Sequence, residues 1–384
     1  MTLVASGARP FVFSEAEMGR RRHALDGIMT AAQVRHVVLY GANRAGSSVP
    51  WITGWPVTRE AHVLLSPGER PVLLVNFYNH VDDAIRRAPQ AQVRWAGPDP
   101  VRTLCALLAE RAPGPVGLIG ALPFEQYLAL SRERQVRDLA GGYVKLRLSK
   151  SDEEIAALRR AAALTDVAAV ALVDSSSLGC TEHQLSARLE HAYVSRGGGH
   201  HIHYLAVTSM SDPDRCLPAQ WPSERKLARG DILTFELSAT SAPDYPGQLL
   251  RTFTAGADPT PLVADLHAVA QEAFEAIERR LRPGVLPAEL IEAASVVEEA
   301  GFTTVDDLVH GFGGGYLPPV FGSAGRALGP VPDQPLESGM TVVVQPNVVT
   351  RDRRIGVQTG ELLHITDSGS ERLHTFPRGL GRIG

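Results

Sequence analysis

Apolar runs of strand length alternate with helix-length periodic stretches over the N-terminal part of the chain. Residues 36–40, 61–65, 71–75, 93–95 and 115–120 are short and apolar, while residues 101–111 and 123–131 carry helical spacing. Ser66, Pro67, Gly68 and Glu69 supply turn chemistry for a hairpin between the second and third runs. Ser14 and Glu17 make a capping box, which predicts a helix running towards Ala32 behind an arm at residues 1–13. Strands interleaved with helices predict an α/β domain over residues 1–146.

Beyond that point the pattern changes. Ser151 with Glu154, and Thr181 with Gln184, are two further capping boxes, and they predict helices ending near residues 174 and 195. A Gly230-Asp231 turn then opens a strand over residues 232–237. A Pro/Gly-rich turn and a second strand follow, ending at Arg251-Thr252-Phe253. Alternation along the first strand puts Thr234, Glu236 and Ser238 on one face of an otherwise apolar stretch. A carboxylate on such a face needs a partner, a metal or a task. Helices are predicted over residues 261–282 and 287–300, and closing strands over residues 340–345 and 361–365.

The central hairpin resembles that of the creatinase/prolidase/methionine-aminopeptidase superfamily, the pita-bread fold. So do the entry segment Leu146-Arg147-Leu148-Ser149-Lys150-Ser151 and the Arg282-Pro283-Gly284 turn. The resemblance covers residues 146–384. It implies an α/β protein: an α+β pita-bread domain over residues 147–384 behind a smaller creatinase-type α/β domain over residues 1–146. It also implies a homodimer.

The superfamily's dinuclear metal ligands map onto an altered set here. Glu236 and Gln248 stand where the resemblance implies two aspartate ligands. His310, in His310-Gly311-Phe312-Gly313, keeps the ligand histidine, but Leu317 replaces the second histidine. Gln345 replaces the glutamate before Pro346, Gly360 takes the last ligand position beside Glu361, and Ala219 takes the place of the acid/base histidine of creatinase. Two divalent ions and a bridging water need about five anionic or imidazole ligands. Glu236 and His310 alone meet that standard, so the expectation is a site without metal and without any other cofactor. Gly230-Asp231-Ile232-Leu233 and Phe376-Pro377-Arg378-Gly379 look more like creatinase than like an aminopeptidase.

The function expected on these grounds is a metal-independent enzyme acting on a small amino-acid-derived metabolite by C–N hydrolysis or a related lyase or isomerase step. Glu236 and His310 would exchange protons, and Gln248, Gln345 and Tyr316 would orient the substrate. Two alternatives stand beside it: a metal-dependent Xaa-Pro aminopeptidase-type peptidase, and a non-catalytic pita-bread binding protein. Plainer roles exist for the same residues. Glu236 could pair with Arg251 or backbone amides, His310 could bond a backbone carbonyl, and the two glutamines could fill a vacated cavity by bonding each other.

Gly197-Gly198-Gly199-His200-His201-Ile202-His203 is a second candidate. Strand alternation puts His201 and His203 on one face and His200 on the other, with His203 able to replace the lost base. Trp51-Ile52-Thr53-Gly54-Trp55 matches a family element of the first domain, whose following residues in creatinase reach the partner's site, and Arg59 is the nearest candidate for that contact.

Charge and composition narrow the rest. A net charge of −4 gives no footprint for nucleic acid or an anionic membrane, and no apolar run is long enough to span a bilayer. Cys105, Cys180 and Cys216 are odd in number and lack a CxxC spacing, as expected of reduced thiols in a cytoplasmic protein.

Overall fold

The computed structural model describes residues 11–384, so most of the arm expected at residues 1–13 lies outside the described residues. The chain divides into two compact units, Val12–Arg147 and, in the main, Leu148–Gly384. In the smaller unit Ser14 caps α1 (Glu15–Ala31) by accepting from the Glu17 amide. There follow β1 (His36–Ala42), α2 (Ser48–Thr53), β2 (Glu60–Leu65), β3 (Val72–Val75), α3 (Val81–Arg87) and β4 (Gln92–Trp95). The unit ends with α4 (Pro100–Ala109), β5 (Val116–Ile119), α5 (Phe124–Glu133), β6 (Val136–Asp138) and α6 (Ala140–Leu146).

Its mixed sheet has the order β4-β3-β2-β1-β5-β6 among the described residues. The Ser66–Glu69 turn joins β2 and β3 as an antiparallel pair, with Leu64 opposite Val72. Trp51 and Trp55, which the sequence associates with a partner's site, are buried in this unit. Arg59 precedes β2, with its guanidinium 5.7 Å from the Phe77 ring centroid.

The larger unit opens with α7 (Asp152–Ser175) and α8 (Glu182–Val194), both entered through complete capping boxes. Next come β7 (Gly199–Ser209), β8 (Asp231–Ala242), β9 (Tyr245–Pro246), β10 (Leu249–Ala255) and α9 (Pro261–Arg280). α10 (Pro287–Ala293) and α11 (Val296–Glu299) replace the single helix predicted over residues 287–300. Leu290 of α10, Ala294 in the turn and Val297 of α11 are still buried against the α9 side of the core. The remaining strands are β11 (Thr303–Thr304), β12 (Val309–Phe312), β13 (Tyr316–Phe321), β14 (Thr341–Val344), β15 (Val348–Val349) and β16 (Gly360–Ile365).

One sheet with the order β13-β12-β14-β16-β10-β8-β7 organises this unit. Leu233, Phe235 and Leu237 of β8 pack with Leu164, Ala168 and Leu172 of α7 and Leu185 and Leu189 of α8. Thr234, Glu236 and Ser238 therefore take the opposite face. β8 is twice as long as the apolar run suggests. Pairing with β7 continues through Gly199 opposite Thr240, and the Ala239 amide donates to Thr165 Oγ1 of α7. Gly247, in the following turn, sits against α7 so closely that a Cβ there would lie 2.7 Å from Ala162 Cα. No helix among the described residues is long and apolar enough to cross a membrane.

Candidate active site

The free face of the sheet carries a cavity of about 430 Å³, and Glu236, Gln248, His310, Tyr316 and Gln345 all line it. Register explains the convergence. Glu236 of β8 pairs with Leu250 of β10, His310 of β12 pairs with Val343 of β14, and Gln248 and Gln345 flank the ends of β10 and β14. Gln248 Nε2 donates to Glu236 Oε1 at 2.8 Å and to Gln345 Oε1 at 3.2 Å. The glutamines do bond each other, yet they border open space beside His310 instead of closing it.

Glu236 is buried and its carboxyl has no cation beside it. Burial, followed by the charges of Asp306 and Asp307, pushes its pKa up to about 8. A neutral, proton-bearing carboxyl results at ordinary pH. His310 is pushed the other way. Burial lowers its pKa to about 4, opposed by a bond to the Gly311 carbonyl and by Asp306 and Gln345. Because Nδ1 lies 3.2 Å from that carbonyl, Nδ1 must carry the hydrogen, and Nε2 is left as the acceptor. Tyr316 stacks on the imidazole with centroids 4.4 Å apart, and Phe312 meets it edge-on at 5.3 Å.

Five polar pocket residues stand outside the candidate set read from the sequence. Asp306 and Asp307 stand just before β12, and Tyr204, Gln220 and Gln358 complete the polar lining. Burial and the adjoining Asp307 raise the Asp306 pKa to about 6. Tyr316 is held above the ordinary tyrosine range by burial and by Asp307 facing it. No motif marks the two aspartates; only the register of β12 brings them over Glu236.

His203 is placed elsewhere. A bulge between His200 and Ile202 shifts the register, so His203 pairs with Leu237 and turns towards α8, its ring 5.1 Å from Tyr193. It shares that side with His200, whose Nδ1 lies 3.1 Å from its own, while His201 faces Phe312. The alternation expected of an unbroken strand is thereby broken, since one extra residue exchanges the faces of the positions beyond it and moves His203 to the side of His200. His203 does not line the cavity. Arg251 is likewise not the partner of Glu236. Its register partner is Phe235, and its guanidinium bonds the carbonyls of Pro377 and Gly360 and the Glu361 carboxylate.

The residues at the superfamily's ligand positions do not fit a metal pair. Glu236 and His310 are joined there by two neutral amides. Among the described residues no group of three or more His, Cys, Asp or Glu side chains is placed to hold an ion. Glu361 is consumed by Arg251, Arg372 and Arg378 at 2.5–2.6 Å. Gly360 lies so close to its neighbours that a Cβ would stand 2.5 Å from the Val344 carbonyl and 3.0 Å from Gln345. Gly360→Glu is therefore expected to cost about 1–3 kcal/mol of stability by overpacking. A lower urea midpoint checks this, and an unchanged midpoint would show that β14 and β16 can part to admit the side chain.

Residues 156–367 match Metallopeptidase family M24. A protein named probable dipeptidase PepE from Mycobacterium bovis is 29% identical over 290 residues, 74% of this chain and 74% of the relative. The Xaa-Pro dipeptidase of Pyrococcus furiosus is 23% identical over 269 residues, 69% of this chain and 75% of the relative. The solved structure of the Xaa-Pro dipeptidase from Bacillus anthracis superposes with a TM-score of 0.80 at 21% identity, covering 95% of this chain and all of that one. These names overturn the expectation of a metal-independent enzyme for a small amino-acid-derived metabolite. The relatives are dipeptidases and Xaa-Pro dipeptidases, so the peptidase alternative replaces it.

Proposed function

Because the chain belongs to Metallopeptidase family M24, we propose that its pita-bread unit is a peptidase-type hydrolase that cleaves the amide bond of a dipeptide-sized substrate in the Glu236–His310 pocket. The observation that carries this reading is the cavity itself. About 430 Å³ of open space lies beside two titratable groups whose pKa values are driven apart, on the strands that resemble the superfamily's site. A cavity of that size suits one small ligand and not an extended chain.

In this reading Glu236, protonated, donates to the amide nitrogen that leaves. His310, neutral, accepts a proton at Nε2 from the attacking water. The Gln248 amide keeps Glu236 aimed by holding its other oxygen. Tyr316 covers the imidazole and limits its rotation.

Purified protein is to be incubated with a panel of Xaa-Pro and non-proline dipeptides, with and without added Mn²⁺, Co²⁺ or Zn²⁺, and free amino acids read by mass spectrometry. Cleavage of at least one dipeptide is the expected result. No cleavage of any member under any metal condition removes the peptidase reading. We also infer a homodimer, which a solution mass equal to one chain at micromolar concentration would exclude.

A further inference from the structure

The side of α7 and α8 turned away from the sheet carries a groove of about 1150 Å³, against about 430 Å³ for the cavity on the free face of the sheet. α8 runs back along α7. Arg188 donates to the Ser175 carbonyl at one end, and at the other a Cβ on Gly198 would lie 3.3 Å from Leu164 Cδ1. Ala163, Val167, Val170 and Ala171 of α7, Ala187 of α8 and Phe376 give the trough its apolar walls. Val170 is 36% exposed, on a helix whose other side packs against β8. Open apolar surface of this extent costs free energy until something covers it. The charge of the groove is lopsided. Arg159, Arg160 and Arg196 all line the end where α7 begins and α8 finishes. Arg196 gives one N–H to the Ala192 carbonyl at 2.7 Å and meets no carboxylate among the described residues. Of the two acids in the lining, Asp166 is taken up by His374 and Thr375, and Asp174 stands at the far end with Arg188.

We propose that this groove binds a single-chain anionic amphiphile, a monomeric long-chain fatty acid, with its alkyl chain laid in the trough and its carboxylate held by Arg160 and Arg196. From Arg159 to Ser175 α7 runs about 24 Å at 1.5 Å per residue, which takes an extended fatty acyl chain. Burial of that chain supplies the affinity, growing with each methylene. The guanidinium fork matches a carboxylate in charge and in shape. A partner helix is the poorer fit. It would bring polar groups along the whole length of the groove, where His191 and Ser195 are the only polar side chains of α8 in the lining between Arg188 and Arg196. The groove and the Glu236 cavity lie on opposite sides of β8, so this inference stands apart from the peptidase reading.

The experiment is calorimetric titration of the full chain with laurate, decanoate and octanoate, all kept below micelle formation. Dodecyltrimethylammonium is the probe of equal chain and opposite charge. Laurate is expected to bind at one site per chain, and each pair of methylenes removed should weaken binding by about four- to fifteenfold. Dodecyltrimethylammonium should bind at least about tenfold more weakly than laurate. Arg196→Gln should weaken laurate by about fivefold or more and leave the ammonium probe unchanged. Arg382→Gln, which removes an exposed guanidinium paired with Asp258, should change neither. Val170→Glu, at an exposed position, should weaken laurate at least about tenfold with an unchanged thermal midpoint; if that variant melts early, Arg196→Gln decides alone. Equal binding of laurate and the ammonium probe overturns the inference. So does affinity independent of chain length, full laurate affinity in Arg196→Gln, or no saturable laurate binding up to about 1 mM. If laurate fails while phosphatidylglycerol vesicles retain the chain, the groove meets a membrane. If laurate fails while Val170→Glu lowers the solution mass to one chain, it meets a second copy. Either result overturns the inference. Binding is read without turnover, so a chain that binds laurate and cleaves no dipeptide loses the peptidase reading alone.

Discussion

Glu236→Gln lowers kcat on a cleavable dipeptide by about 10²–10⁴-fold, the usual contribution of a positioned general acid. The substitution is nearly isosteric and keeps a hydrogen-bonding group beside Gln248, so the loss reads proton delivery and not collapse of the pocket. The pH profile carries a second check. In the parent, kcat/KM should fall above pH about 8 as Glu236 gives up its proton, and below about 4 as His310 gains one. Glu236→Gln should abolish the upper limb and leave the lower. Retention of both limbs would assign the upper one to another group. Stability moves the opposite way. A carboxyl whose folded pKa is raised from 4.5 to about 8 favours folding fully at low pH and loses that contribution as pH climbs through the upper value. The glutamine variant should therefore gain thermal stability over the parent at pH 9, with a smaller difference at pH 5. Activity lost and stability gained at one position is the mark of a strained functional carboxyl.

Local chemistry made most of the fold legible. The capping boxes at Ser151 and Thr181 fix where α7 and α8 begin because each is complete within four residues. The Gly-Asp turn is similarly self-contained: Asp231 Oδ2 accepts from the Ala228 amide at 2.8 Å, and Arg225 bonds Oδ1 at 3.0 Å. The convergence of Glu236, Gln248, His310 and Gln345 was legible for a different reason. Each stands at a motif position of a recognisable superfamily, and the sheet brings those positions to one pocket. What stayed hidden depends on non-local register. One inserted residue near His200 turns His203 away from Glu236. Asp306 and Asp307 have no periodicity and no motif, and become part of the site only through the strand that follows them. The partner of Arg251 was equally invisible. Glu361 is remote in sequence, and alternation along β10 sends Arg251 to the face opposite Gln248's neighbour Glu236.

That arginine-bound carboxylate should be the most sensitive point of the larger unit's stability. Glu361 is fully buried and bonded by Arg251 at 2.6 Å, Arg372 at 2.5 Å and Arg378 at 2.6 Å. Burial alone would raise its pKa, but Arg372, Arg251 and Arg378 together hold it down to about 2. The arginine side of the cluster is less comfortable. Burial, with the neighbouring charges of Arg372 and Arg378, lowers the Arg251 pKa even against Glu361, so the cluster's net contribution is smaller than the carboxylate alone suggests. Removing the anion is another matter, because Arg251 is 2% exposed and would be left among like charges. Glu361→Gln is accordingly expected to destabilise by about 3–5 kcal/mol, the cost of breaking a buried pair from one side. Denaturant titration at pH 7 measures it, and a loss below about 1 kcal/mol would mean that water already screens the cluster. The pH dependence follows from the sign of the shift. The folded pKa lies below the ordinary 4.5, so the contribution is present above that value and is lost as pH falls towards 2. Parent and Glu361→Gln stabilities should therefore differ most near neutrality and approach each other in acid, with Glu236, already protonated there, adding nothing to the change.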